Sequence, residues 1–189
     1  MASAQKRQIE AAATRLYTRL VEQARQPAFY LELGVPDTPD GRFDMIALHA
    51  ALLLRRLRRE RERTEATSQA VFDLMFADMD QNLREMGVGD LAVGKRIKAM
   101  AQGFYGRLAA YDVGLAAPGD DVLADALGRN VYRHRPPGEG DATGLARYMR
   151  RQAGNLEAQP VEALMRGDVA FAALTAGEEV PDHAADHPT

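Results

Sequence analysis

Apolar positions recur along this chain at helical spacing, in long stretches separated by short breaks of proline, glycine and aspartate. Ile9, Ala13, Leu16, Leu20 and Ala24 share one face of a helix expected over 5–26, which Pro27 ends. A short turn-like piece, 27–33, and a GVPDTPDG turn at 34–41 lead into a helix expected from 42 to 63. Thr67 or Ser68 is expected to cap the next helix, which runs to Met86 with Val71, Phe72, Met75, Met79 and Leu83 inward. Gly87 and Gly89 break it, and Asp90 is expected to cap a long helix to about residue 113. Further helices are expected at 121–131, 143–156 and 160–165, with a last short one at 168–174 and a loop at 134–141. Alternating β-branched runs do not occur. The pattern predicts an all-α protein, a single compact bundle of about six to eight helices over 1–175. The acidic, proline-containing 176–189 reads as a disordered tail.

Composition narrows the chemistry. The formal net charge of −3 argues against a protein that coats nucleic acid, so DNA is not an expected partner, and with no cysteine there is no disulfide, thiolate metal site or thiol nucleophile. The longest apolar run, 45–54 with His49 inside it, is about half of the ~20 residues a membrane span needs, and no signal peptide is visible at the start. A cytoplasmic protein, at most peripheral at an inner membrane, is the expectation. The basic residues are nearly all arginine, Lys6, Lys95 and Lys98 being the only lysines, which with the abundant alanine reads as codon bias.

No catalytic residue, metal site or cofactor is assigned. Residues 89–96 fit a phosphate loop up to Arg96, which stands where serine or threonine would ligate magnesium, and they follow a helix rather than a strand. No histidine lies three after a glutamate, as a di-iron bundle requires. His183 and His187 lie in the proline-flanked tail, and His134 reads as solvated. His49, on an apolar face, reads as a core residue bonded to a carbonyl or carboxylate.

Charge has two readings at each of two places. Asp73, Asp78, Asp80 and Glu85 on one helix, with Lys95, Arg96, Lys98 and Arg107 on the next, form either rim ion pairs between antiparallel helices or a polarised surface that orients a partner. The run Arg55, Arg56, Arg58, Arg59, Arg61 and Arg63 is either a helix end favoured by the macrodipole or a basic stub for phosphates of ribosomal RNA or lipid. Met75, Met79, Met86 and Met100 read as core, or as a groove for an apolar segment.

The wording GVPDTPDGRFD at 34–44, then MIALH at 45–49 and LLRRLR at 53–58, resembles the ubiquinol–cytochrome c chaperone family. FDLMFADMD at 72–80, LREMGVG at 83–89 and the stretch 95–107 with its GFYG resemble the same family, so the likeness covers roughly 30–175. It implies a non-enzymatic assembly factor for the respiratory cytochrome bc complex, complex III, whose client is newly made cytochrome b. It also implies the ribosome near the nascent-chain exit as a second partner, since mitochondrial members associate there with a small partner protein. The extended targeting and membrane-anchoring region of those members has no counterpart here, so a bacterial-type member is expected, with membrane contact left open. Pro36 and Pro39 fix φ, Gly34 and Gly41 allow reversal, and Asp37, Thr38 and Asp40 can bond free amides of the next helix. Pro36, Asp37, Thr38, Asp40, Gly41, Arg42, Phe43, Phe72, Phe76 and Asp80 are the expected partner-binding residues. Arg55, Arg56, Arg58, Arg59, Lys95 and Lys98 are the expected basic surface.

Overall fold

The structure, a computed structural model, describes residues 2–133 and 140–174. His134, His183, His187 and the tail expected at 176–189 lie outside the described residues. Among the described residues there are eight α-helices, one 3-10 turn and no strand. α1 (Ala2–Ala24) buries Ala12, Ala13, Leu16, Leu20 and Ala24, the face that its periodicity marks, and ends before Pro27. The piece at 27–33, read as a turn, winds into the short α2 (Pro27–Leu31), because Pro27 at its first position has no N–H to lose.

At the centre is α3 (Pro39–Leu57), whose residues Phe43 to Leu53 are all buried. α1, α4, α5 and α7 pack around it. Such all-round burial explains a helix with no amphipathic alternation. The sequence reading carried this helix to residue 63; instead the chain bends at a 3-10 turn, Arg58–Glu60, and continues as α4 (Arg61–Glu85). The bend is held by Thr64, whose hydroxyl donates to Leu57 O at 2.6 Å. Thr67 and Ser68 therefore lie inside α4 and cap nothing, and Thr67 is buried.

Gly87 (φ 81°) ends α4, and α5 (Asp90–Ala116) follows. Gly89 takes the N-cap place expected of Asp90, whose carboxylate instead pairs with Arg84. α6 (Asp121–Asn130) and α7 (Ala142–Glu157) complete the second layer. Arg150 of α7 donates to the carbonyls of Gly114, Leu115 and Ala117, closing the end of α5 as a cation at a helix C-terminus should. α8 (Val161–Arg166) packs on α1, and residues 168–174 form no regular element where a last helix is expected.

Candidate partner-binding site

The turn at 34–44 is built as a rigid projection. Thr38 accepts a hydrogen bond from Gly41 N–H at 3.1 Å, and Pro39 occupies the first helical position. Arg42 donates to Asp37 at 2.7 Å. A Cβ on Gly41 would sit 2.0 Å from Pro36 O, so the backbone crossing leaves room for hydrogen alone. Asp37, Thr38, Asp40 and Arg42 are exposed and Pro36 is half-buried, whereas Gly41 and Phe43 are buried. Four of the seven expected turn residues thus form a surface, and Gly41 and Phe43 form its support.

Beneath the turn lies a charge cluster that sequence reading missed. Asp44, 2% exposed, has Arg133 Nη1 at 2.7 Å from Oδ2 and Arg107 Nη2 at 2.8 Å from Oδ1. The Arg107 contact is an ion pair without hydrogen-bond alignment. Burial pushes the Asp44 carboxyl up to about 6, and the two guanidiniums oppose that rise. Arg107 also lies over the Phe43 ring, 5.5 Å from its centroid. The three charges come from α3, α5 and the segment after α6, so no local spacing announces them.

A second surface forms where α4 meets α5. Phe72 is half-buried, 4.7 Å from Phe76 and stacked at 5.6 Å on Tyr105, which is 58% exposed. Phe76 is buried beneath them, and Asp80 pairs with Arg84 at 2.6 Å. Lys95, Arg96 and Lys98 are exposed and form no ion pair among the described residues, beside Leu91 at 97% exposure. The expected rim pairs between these helices are not what the acids form: Asp78 accepts from Tyr17 of α1 at 2.7 Å, and Asp73 from Gln69 at 2.7 Å. Met75 and Met79 are core, Met100 is half-buried and Met86 is exposed.

The arginine run is a corner rather than a stub. Arg55 reaches Asp112 at 3.2 Å and Glu157 at 3.3 Å; Arg58 pairs with Asp112 at 2.7 Å, Arg59 with Glu157 at 3.0 Å and Arg63 with Glu162 at 2.8 Å. Arg56 is not a surface residue at all. It is 6% exposed and donates to Leu156 O at 3.0 Å and Gln159 O at 2.9 Å, closing the C-terminus of α7. Those two carbonyls lie about a hundred residues away, which is why a local reading misplaces it.

His49 is fully buried, as a core histidine. Nδ1 lies 2.8 Å from Met45 O, which can only accept, so this nitrogen carries the proton and Nε2 accepts from Tyr148 OH at 2.7 Å. Burial lowers its pKa to about 4, so the ring is neutral at pH 7. The glycine-rich stretch at 89–96 starts α5 after a helical layer, and no three of the described His, Asp or Glu residues gather as metal ligands.

Among the described residues the structure is helical throughout, and it carries at its surface a braced turn, an aromatic pair and a basic patch without ion-pair partners, which defines an all-α fold. A family model described as ubiquinol-cytochrome C chaperone matches residues 31–171, and the chain belongs to that family. The ubiquinol-cytochrome c reductase complex assembly factor 1 of Mus musculus is 29% identical over 167 residues, covering 88% of this chain and 56% of the mouse protein. Its Xenopus laevis counterpart is 28% identical over 167 residues, 88% of this chain and 83% of that protein. This chain thus spans just over half of the mouse relative and also of the human one, 56% of each. The crystal structure of the Cbp3 homolog from Brucella abortus superposes with a TM-score of 0.82 at 38% identity, covering 91% of this chain and 94% of that one.

Proposed function

We propose that this protein is an assembly factor for the ubiquinol-cytochrome c reductase complex, complex III, and that it acts by holding newly made cytochrome b rather than by catalysis. The observation that carries the reading is the family match over 31–171, which includes the turn, the central helix and the α4–α5 surface together. The relatives named as assembly factors support it. The braced turn supports it physically, because a surface already ordered by Thr38, Pro39 and Gly41 loses little entropy on binding. No helix among the described residues is long and apolar enough to cross a membrane, which is compatible with a peripheral position beside a membrane client. Clean deletion of the gene should deplete assembled complex III while the other respiratory complexes persist. Normal complex III in the deletion would remove the proposal.

A ribosome-associated role is the second reading, and one observation moves it. The arginine corner is occupied by Asp112, Glu157 and Glu162, whereas Lys95, Arg96 and Lys98 are unpaired among the described residues. Co-sedimentation with ribosomes should then be lost when those three become glutamine and kept when Arg58 and Arg59 do. The reverse pattern would return the contact to the corner.

A further inference from the structure

Residues 168–174 are held in an unusual way. From Val169 to Leu174 the backbone bonds to no other described backbone group. Side-chain amides of α7 and of Gln159 just beyond its end take its place. Gln152 accepts from Ala172 N–H at 3.0 Å and donates to Ala172 O at 2.5 Å. Gln159 does the same for Ala170, at 2.9 and 2.8 Å. Asn155 adds a donor to Ala170 O at 2.8 Å, Gln23 of α1 one to Ala172 O at 3.1 Å, and Arg151 one to Ala173 O at 2.9 Å.

A primary amide offers one donor and one acceptor side by side, the pair that a strand edge offers to an incoming strand. Two such amides, clasping residues two apart, supply two rungs of a ladder without any strand. They read backbone, so any extended segment without proline at those two positions satisfies them. Side-chain selection is added at one point, where the half-buried Phe171 meets His49 edge-on with centroids 5.6 Å apart. Beyond Gln159 the groove opens into a cleft of about 580 Å³ between α1 and Val169–Ala170, walled by Thr14, Thr18 and Arg19. Ala170 and Ala173 face solvent, and Ala172 and Leu174 are only half-buried.

We propose that the groove between α1 and α7 is a binding site for an extended apolar polypeptide, occupied in cis by residues 169–174 until such a segment displaces them. The inference rests on the assembly-factor reading only for the identity of the client; the groove itself is tested without it.

The test uses the full chain and a labelled DVAFAAL peptide, the sequence of residues 168–174. Ala170→Pro with Ala172→Pro removes both N–H donors and releases the cis segment. Fluorescence anisotropy should show the peptide binding this variant at least about tenfold more tightly than wild type, since the cis occupant no longer taxes binding. Adding Gln152→Ala and Gln159→Ala should abolish the gain. A variant with wild-type helical circular dichroism and no gain, or a gain that survives loss of both glutamines, would overturn the proposal. Hydrogen exchange on the wild-type protein decides independently of whether the variant folds. The Ala170 and Ala172 amides should exchange at least about a hundredfold faster than those of Leu48 and Leu53 through local opening. Exchange in step with that core would make the segment a fixed part of the fold and end the proposal. Neither readout involves complex III, so failure of the groove and failure of the assembly role are separable.

Discussion

At the residue scale, two of the buried ionisable groups of α3, His49 and Asp44, act in opposite senses. His49 has its pKa depressed from 6.5 to about 4, so the unfolded chain takes up a proton between those values and the folded one does not. The stability that follows is present above pH 6.5 and lost as pH falls towards 4. Asp44 is raised from 3.8 to about 6, so there the folded chain holds the extra proton, and its contribution is lost as pH rises through the same window. Wild-type stability therefore masks each behind the other, and the informative quantity is a difference. Between pH 7 and pH 4, the unfolding free energy of wild type should fall by about 3 kcal/mol relative to His49→Gln. Urea titrations at the two pH values measure it, and a pH-independent difference would mean that His49 is not withheld from protonation. This part of the interior was half legible in advance. His49 stands out as the polar residue in an apolar run, but the partners of Asp44 come from Arg107 and Arg133, which no spacing rule connects to it.

At the element scale, the helix cores were readable and the corners were not. Apolar spacing marked the buried faces of α1 and α4, and Pro27 and Gly87 stopped helices where their chemistry requires. The α3–α4 corner contains neither proline nor glycine, and its signal is a threonine hydroxyl reaching back to a carbonyl, which fits many sequences. Likewise 168–174 has helical composition, but its backbone is held instead by Gln152 of α7 and by Gln159 just beyond it, acceptors and donors that no local pattern announces. The turn before α3 can be tested by itself. Gly41→Ala places a methyl against Pro36 O, a backbone atom that cannot swing aside, and should destabilise the chain by about 2 kcal/mol. Thr38→Ala removes the cap alone and should cost about 1 kcal/mol. Equal, negligible effects in thermal unfolding would show that the turn is not the braced structure described.

At the scale of the molecule, family membership and fold were carried by the sequence wording at 34–58 and 72–107, and the family match over 31–171 encompasses both. What the wording could not reveal is how charge is spent. At the arginine corner Arg55 ties α3 to α5 and α7 through Asp112 and Glu157, and Arg63 ties α4 to α8 through Glu162, while the surface left open lies on the exposed residues of the turn and on the α4–α5 face. If the protein receives cytochrome b, the client should meet those two surfaces and not the corner. Photo-crosslinking in cells, with the reactive residue placed in turn at Asp37, Arg42, Tyr105 and Arg59, tests this most directly. The account predicts adducts with newly made cytochrome b from Asp37, Arg42 or Tyr105 and none from Arg59. Adducts from these positions that never include cytochrome b, in cells actively making it, would contradict it.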